Sequence, residues 1–398
     1  MRIATANGYQ NSLDSLMDRQ SRLADTQSQL TTGKRVNRAS DDPAAAARAE
    51  RALTAEQRTV ASQRAVDASD TAMTLTESAL GDAGSLLQSA RQALVAAGNA
   101  TYSDSERTGI ANQLTDLRQQ LFAVANRTDG AGTYLFGGQG ADRPPFTDLA
   151  GGVQFQGTSG QVQAASGEAL PLSVDGESTW MQARTGNGVF ATRAITATGS
   201  AWVDAGHVTD PSAVTGSTYS VQFSVSAGAT TFSVLKDGLP TAQTNVAFKP
   251  GQSVQVDGLS AAIQGVPANG DAFEFAPSTP DLSVFDVLDK AIADLKTPNR
   301  KGTQIAQSNV QNLTGLDAVL GQVNAGRSQV GATMNRIDAA TGRLSAVKLS
   351  SQTERSHAED LDLTQAISDF SNQQTGYDAA LKAYSLVQRL SLFNYLNA

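Results

Sequence analysis

The sequence predicts a mainly α-helical protein with a β-rich insertion, in which both chain ends contribute to one long coiled-coil helical bundle. Three observations predict this fold class. Apolar residues recur at heptad spacing before residue 128 and again after residue 281. The segment between them is rich in glycine and alternates apolar with polar residues. The first and last stretches carry apolar seams that complement each other, so we expect a nested, multidomain architecture.

The first helix is predicted over residues 4–32. Its seam steps alternately by three and four residues, as the a and d positions of a coiled coil do, through Leu13, Leu16, Gln20, Leu23, Gln27 and Leu30. Gly33 is expected to end the helix, and Asp42 followed by Pro43 is expected to start the next one. The polar link between these two points, residues 33–42, is expected to be mobile.

The second helix is predicted to run from Pro43 until Gly98 and Asn99 stop it. Large apolar residues recur every seven positions at Val66, Met73, Leu80, Leu87 and Leu94. Small residues fill the intervening positions at Ser69, Thr76, Ala83, Ala90 and Ala97. This alternation of large and small residues is typical of a coiled coil. Ser103 and Glu106 form a capping box that begins a third helix, which is expected to end near Thr128.

Residues 141–280 are predicted to form the β-rich insertion. They hold 17 of the 35 glycines and carry 5 basic against 11 acidic residues, so −6 of the net charge of −8 lies here. Short strands are predicted at residues 219–225, 231–235, 253–256 and 272–275. Asp237-Gly238 and Asp257-Gly258 are expected to form hairpin turns. We expect a solvated, acidic outer domain.

Helices return at residue 281, first a short one that Pro298 ends and then a long one carrying Val330, Met334 and Ile337 at heptad spacing. The last predicted helix, residues 361–398, has two apolar stripes. One stripe contains Leu363, Ile367, Phe370, Tyr377, Leu381, Tyr384 and Tyr395. The other contains Ala379, Ala383, Leu386, Leu390 and Phe393. The stripes lie about 200° apart on the helix, which makes it apolar on two opposite sides.

A helix with two apolar sides needs two partners. We expect the N-terminal helix to cover one stripe and neighbouring copies of the chain to cover the other, so that the termini order fully only on assembly. The residues predicted to form this assembly interface are Leu13, Leu16, Leu23, Leu30, Phe370, Tyr377, Leu381, Tyr384, Leu390 and Phe393. The alternative is a terminal hairpin that closes an ordinary coiled coil within one molecule.

The composition argues against several classes of function. There is no basic run, which argues against a nucleic-acid partner, and no apolar run approaches the roughly 18 residues of a membrane span. Cysteine is absent, and the two histidines, His207 and His357, lie in different predicted domains and are expected to be solvated. Catalytic motifs are missing, and Asp41-Asp42 is better explained as a helix cap than as a cation site. We therefore expect neither an enzyme nor a cofactor or metal.

Two stretches resemble the bacterial flagellin superfamily. LTTGKRVNRASDDPAAAARA, residues 30–49, is similar to the signature in which a polar bend leads into a helix, and QQTGYDAALKAYSLVQRLSLFNYLN, residues 373–397, is similar to the superfamily's C-terminal helix. Within the superfamily, GTYLFGG at residues 132–138 and IQGVPANGDAF at residues 263–273 resemble the hook–filament junction family more than flagellin itself.

This resemblance implies a structural protein of the bacterial flagellum, located outside the cell. It implies export by the flagellar type III route without a cleaved signal peptide, and an export chaperone that binds the C-terminal helix. It further implies a ring of identical subunits between a neighbouring hook-associated protein and flagellin. A minor flagellin in the filament is the alternative within the superfamily, and a surface adhesin or a secretion-needle tip protein is the alternative outside it.

Three domains are expected in the nested chain. Residues 1–40 with 357–398 would form a terminal helical assembly domain, residues 41–140 with 281–356 a coiled-coil helical bundle, and residues 141–280 the outer β-rich domain.

Overall fold

A computed structural model describes residues 2–99, 101–140, 142–164 and 167–396, with side chains described from residue 10 to residue 386 within those ranges. The α-helices of this part of the chain are α1 (Arg2–Thr32), α2 (Pro43–Ala97), α3 (Asp104–Ala125), α4 (Gly176–Trp180), α5 (Val284–Lys296), α6 (Gly302–Glu359) and α7 (Leu363–Leu396). The prediction of long helices at both ends of the chain is confirmed.

The strands all lie between α3 and α5, where the insertion was predicted. They are β1 (Phe146–Leu149), β2 (Gly152–Phe155), β3 (Phe190–Thr196), β4 (Trp202–Val203), β5 (His207–Val208), β6 (Tyr219–Ser226), β7 (Ala229–Lys236), β8 (Leu239–Pro240), β9 (Val246–Ala247), β10 (Gln252–Val256), β11 (Leu259–Gln264) and β12 (Ala272–Pro277). A mainly helical fold with a β-rich insertion is therefore confirmed.

The chain forms two compact units. One comprises Met1–Arg64 and Ala340–Ala398, and the other comprises Ala65–Ala339. Both α2 and α6 contribute to each unit. The division into three domains at residues 40, 140, 280 and 356 stays a prediction.

Helix boundaries follow the predicted capping chemistry. Gly33 has a φ of +71°, which favours glycine, and its N–H donates to the Gln29 carbonyl at 2.8 Å, ending α1. The Asp42 carboxylate accepts from the Ala45 N–H at 2.9 Å, and Pro43 opens α2. Ser103 and Glu106 form the predicted capping box at the start of α3.

The link between α1 and α2, which its polar composition predicts to be mobile, is hydrogen-bonded at its start to a distant part of the chain. The Arg35 N–H donates to the Glu359 carbonyl at 2.7 Å, and the Leu361 N–H donates to the Gly33 carbonyl at 3.0 Å. Backbone groups at this link are therefore paired with the chain between α6 and α7. Sequence periodicity carries no signal for such pairing, because the partners are more than 300 residues apart.

The heptad residues of α2 form a buried seam in the helical part of the Ala65–Ala339 unit. Each of the five large and five small side chains predicted for this seam is at most 1% exposed. Ion pairs tie α2 to α6 along the flank of the seam: Arg91 to Asp317 at 2.6 Å and Arg327 to Glu77 at 2.6 Å. The predicted coiled-coil packing of this helix is confirmed.

The GTYLFGG motif follows α3 and contributes Phe136 to a buried aromatic cluster. The Phe136 ring meets the fully buried Trp180 edge-on at 5.4 Å, and Trp180 stacks on Phe285 of α5 at 6.1 Å. Gly138 has a φ of +62°, and a Cβ there would lie 1.9 Å from the Thr158 carbonyl oxygen. The motif therefore places one buried ring and one turn that accepts only glycine.

Besides the β1–β2 hairpin, the described part of the β-rich insertion contains two larger antiparallel sheets that share one core. One sheet has the order β3-β12-β6-β7-β8 with β9 also pairing β7, and the other has the order β10-β11-β4 with β5 also pairing β11. Phe223 meets Phe248 at 4.9 Å and Phe273 at 6.0 Å within this core. The predicted turns are confirmed, since Asp237, Gly238, Asp257 and Gly258 all have positive φ.

Asp271 of the IQGVPANGDAF motif accepts four hydrogen bonds within the insertion. Its side chain is fully buried and accepts the Thr198 N–H at 2.7 Å and hydroxyl at 2.8 Å, the Ala268 N–H at 2.8 Å and the Gly199 N–H at 3.2 Å. Burial raises the pKa of Asp271, but these hydrogen bonds outweigh it and the net effect lowers the pKa below the usual aspartate value.

We expect Asp271→Asn to lower the free energy of unfolding of the insertion by about 2–3 kcal/mol at pH 7, because the amide nitrogen would face N–H donors. A lowered pKa contributes stability above the unfolded-state value near 3.8, and that contribution is lost as the pH falls through the folded value. Urea unfolding at pH 7 and pH 3 measures both effects. This role would be contradicted if the difference in the free energy of unfolding between wild type and variant were as large at pH 3 as at pH 7.

Candidate assembly surface

Helices α1 and α7 pack against each other within the unit that holds both chain ends. The Thr26 hydroxyl hydrogen-bonds the Gln373 Oε1 at 2.9 Å. Nearer the start of α1, the Arg19 guanidinium lies beside Gly376. Lys34, just after α1, forms an antiparallel bridge to Asp360, just before α7. Residue numbers thus rise along one helix as they fall along the other, so the pair is antiparallel.

The seam of α7 that faces α1 has heptad spacing, and its aromatic residues alternate with alanine or glutamine. Its members are half-buried or buried: Ala366, Phe370, Gln373, Tyr377, Ala380 and Tyr384. The facing residues of α1 are Leu13, Leu16, Leu23, Thr26 and Leu30, of which Leu16 is 9% and Thr26 8% exposed. Seven of the ten predicted interface residues therefore lie on this pair's own seam.

The residues of the predicted first stripe of α7 do not all face α1. Leu363, Ile367 and Leu381 were grouped with Phe370 and Tyr377, yet they are 54%, 59% and 42% exposed. The covered seam is turned by about 45° from the predicted stripe, at 100° per residue. Ala366 on the covered seam is 5% exposed, whereas the predicted first stripe contains large apolar residues only.

The seam residues that the sequence prediction missed are Thr26, Ala366, Gln373 and Ala380. A signal for them existed, because Phe370, Tyr377 and Tyr384 are each seven residues apart and Ala366, Gln373 and Ala380 repeat the same interval. The heptad seam of α2 has the same seven-residue spacing. Thr26 is polar and gave no apolar signal, since its burial depends on a hydrogen bond to the partner helix.

Two apolar faces of α7 are uncovered in the single chain. Leu363, Ile367 and Leu381 flank the seam, and Leu386, at 60% exposed, lies on the opposite side with the exposed Ala379 and Ala383. Leu390 and Phe393, predicted for the same interface, lie outside the residues whose side chains are described. On α1, Met17 is 57% exposed. These residues are the candidate assembly surface.

The candidate assembly surface consists of apolar side chains in the part of the chain whose side chains are described. Among the described residues, no group of three or more histidine, aspartate or glutamate side chains is placed to hold a metal ion. His207 and His357 are exposed, as expected. No helix in the described part of the chain is both long enough and apolar enough to cross a membrane. The available chemistry is apolar contact between helices.

Both helical ends of the chain match known protein-family models. Residues 3–141 match the bacterial flagellin N-terminal helical region, and residues 313–396 match the bacterial flagellin C-terminal helical region. The two matched regions are the helical arms on either side of the β-rich insertion. The chain belongs to the bacterial flagellin superfamily.

Within the flagellin superfamily, the chain is similar over its whole length to hook-associated proteins. It is 26% identical to flagellar hook-associated protein 3 of Escherichia coli (strain K12), with 99% of each chain covered. The crystal structure of FlgL from Xanthomonas campestris matches with a TM-score of 0.67 at 27% identity, covering 76% of this chain and 99% of that one. The flagellar junction protein FlgL from Legionella pneumophila matches with a TM-score of 0.65 at 26% identity, covering 70% and 94%.

Proposed function

We propose that this flagellin-superfamily chain is a structural protein of the flagellum that joins the hook to the filament through its terminal helices. It acts outside the cell as part of the flagellum and is not an enzyme. The full-length similarity to flagellar hook-associated protein 3 supports the junction. The observation that supports self-assembly is the uncovered apolar surface of α7, formed by Leu363, Ile367, Leu381 and Leu386.

The exposed leucines and isoleucine are energetically unfavourable in an isolated molecule. Burying one such side chain contributes about 1.5–3 kcal/mol, and the surface repeats on every copy of the chain. A second copy of the same chain could cover this surface with its own terminal helices. We therefore propose a ring of identical subunits in which α7 is covered by α1 on one side and by neighbouring subunits on the others.

The remaining partners follow from the same role. A junction needs a hook-associated neighbour on one side and flagellin on the other. We propose that the chain reaches its position by the flagellar type III export route without a cleaved signal peptide. An export chaperone that covers the apolar surface of α7 before assembly would keep it from associating prematurely.

The position of this protein along the flagellum distinguishes a junction protein from the alternative functions. Immunogold labelling of intact flagella with antibody against residues 190–277 is expected to mark one short zone between hook and filament. Labelling along the whole filament would indicate a minor flagellin instead. Filaments that form normally without this chain, accompanied by loss of surface attachment, would indicate an adhesin or a secretion-needle tip protein.

The proposed assembly predicts that the terminal helices α1 and α7 are less ordered than α2 in the free monomer. We expect amides in α1 and α7 to exchange with solvent much faster than amides between Val66 and Leu94 of α2, because the heptad side chains there are buried whereas α7 has exposed apolar faces. Hydrogen exchange followed by mass spectrometry measures this difference. Equal protection of both regions in a chain that does not polymerise would contradict the proposed assembly.

A further inference from the structure

The larger compact unit has a cleft between helix α6 and the chain that follows β2, which we call the glutamine cleft. It consists of two cavities of about 490 Å³ and 240 Å³. Both cavities are lined by Gln161 and Gln163 from the chain after β2 and by Gln329 and Thr333 of α6. The larger volume lies within the range of ligand-binding pockets, roughly 300–1,000 Å³.

One wall of the glutamine cleft is an open strand edge. Val162 and Ala164 pair antiparallel with residues 170–172 through two backbone hydrogen bonds of 2.7 Å. Because the backbone groups of successive residues point to opposite sides of a strand, Gln161 and Gln163 direct theirs away from this pairing. Among the hydrogen bonds found in the described part of the chain, none uses the backbone N–H or carbonyl of either glutamine. Such an edge is a template to which another strand can be added.

The lining of the larger cavity favours an uncharged occupant with some apolar side chains. Met73 of α2 and Val330 of α6, which are 1% and 3% exposed, contribute apolar surface. Asp175 is the one charged residue among the described residues that line this cavity, and its carboxylate already accepts the N–H groups of Gly160 and Glu177. No aromatic side chain is among these lining residues, so a sugar ring would find no flat apolar face to stack on.

We propose that the glutamine cleft binds an extended, uncharged peptide segment of a neighbouring protein, in which apolar and polar side chains alternate. Such a segment would pair with the free backbone groups of Gln161 and Gln163 as an added strand. Because side chains alternate along a strand, its apolar side chains would face Met73 and Val330, and its polar side chains would face the opposite way. The proposal depends neither on the hook–filament role nor on the order of α1 and α7.

Methyl NMR of the full-length chain with labelled methionines tests the proposal. The Met73 side chain lines the larger cavity, and Met17 of α1, in the other compact unit, is the internal reference. The probe is a pentapeptide of alternating threonine and valine with both ends blocked. We expect it to shift the Met73 signal saturably, with a dissociation constant of about 1 mM or lower, and to leave Met17 unchanged. A Met73 signal that stays constant up to about 10 mM peptide would overturn the proposal.

Gln163→Pro and Gln163→Ala separate backbone pairing from side-chain binding. Proline lacks an N–H and is tolerated at an open strand edge, so Gln163→Pro is expected to weaken peptide binding roughly two- to tenfold. Gln163→Ala keeps the N–H and is expected to bind the peptide as wild type does. Equal weakening by the two variants would overturn the proposal, because the side chain would then be the binding group.

N-methylated peptides give a measurement on the wild-type chain that involves no change in its folding. One peptide is methylated at the backbone nitrogens of its valines and the other at those of its threonines. At least one of them is expected to lose the Met73 shift, because the methyl groups replace the N–H donors that face Gln161 and Gln163. Binding of both methylated peptides as tight as that of the parent peptide would contradict strand addition.

Blocking the glutamine cleft locates the binding site. Gln329→Trp places a large ring at the exposed α6 wall of the cleft and is expected to abolish peptide binding. Ser328→Trp, at the neighbouring exposed position of α6 outside the cavity lining, is the matched control and is expected to bind normally. Binding that survives Gln329→Trp would overturn the proposal. A saturable Met73 shift with cellopentaose and none with the peptide would also overturn it, since the cleft would then be a carbohydrate site.

Discussion

Leu386→Asp is expected to abolish assembly of the chain while leaving the monomer folded. Leu386 is 60% exposed in the single chain, so a carboxylate there costs little in the monomer. In an assembled ring the same position would be covered, and the variant would lose about 1.5–3 kcal/mol of apolar burial and add the cost of desolvating a charge. Every subunit contact carries this penalty, so the effect multiplies around the ring.

Complementation of a strain that lacks the protein, scored by motility and by electron microscopy of the junction, measures the effect. Leu390→Asp, four residues further along the same predicted stripe, is expected to behave in the same way. The matched control is Leu239→Asp, which makes the same change at a 71% exposed position of the β-rich insertion and is expected to assemble normally. Intact hook–filament junctions built from Leu386→Asp would refute the proposed interface.

Leu87→Ala is expected to cause the second large effect, a loss of about 3 kcal/mol in the free energy of unfolding. Leu87 is fully buried at the middle of the heptad seam of α2, and its neighbours along the seam, Leu80 and Leu94, are at most 1% exposed. Truncation removes apolar burial and leaves a cavity that two long, continuous helices cannot close easily. Urea unfolding followed by circular dichroism measures the loss.

Leu349→Ala is the control for the core variant. Leu349 is 65% exposed on α6, so its truncation is expected to change the free energy of unfolding by about 0.5 kcal/mol or less. Equal losses from the two variants would contradict the assignment of Leu87 to a buried core seam.

The heptad helices and the hairpins were predictable because their signals are local. The repeat from Val66 to Leu94 determines which side of α2 is buried, since side chains seven residues apart share one face of a helix. Asp237-Gly238 and Asp257-Gly258 determine tight turns because aspartate and glycine tolerate positive φ better than most residues do. In both cases the physical cause acts within a few residues of the chain.

The order of strands in the two sheets was not predictable in the same way. β11 and β12 are neighbours in the chain but belong to different sheets, and β3 pairs with β12 across 75 or more residues. The buried carboxylate of Asp271 likewise looks like a surface residue in a turn until Thr198 and Gly199 are brought to it. Such contacts depend on which distant segments pack together.

The candidate assembly surface was predicted in part. The sequence identified the two helices and the need for more than one partner, and it placed Phe370, Tyr377 and Leu16 on the seam between them. Leu363, Ile367 and Leu381, grouped with these residues in one predicted stripe, are exposed beside that seam, and the place of Leu381 in the assembly interface stays a prediction. A one-dimensional pattern ranks residues by size and polarity, whereas helix contact is set by how closely two backbones approach.

The sequence alone determined the helical arms, the glycine-rich β insertion between them and the excess of apolar side chains on the last helix. These features follow from periodicity, turn chemistry and composition, all of which act over short distances along the chain. Only the tertiary structure decided which edge of α7 meets α1, and that residues 33–36 pair with residues 359–361. The reason is that both outcomes depend on backbone approach and hydrogen-bond pairing between segments more than 300 residues apart, which no local pattern encodes.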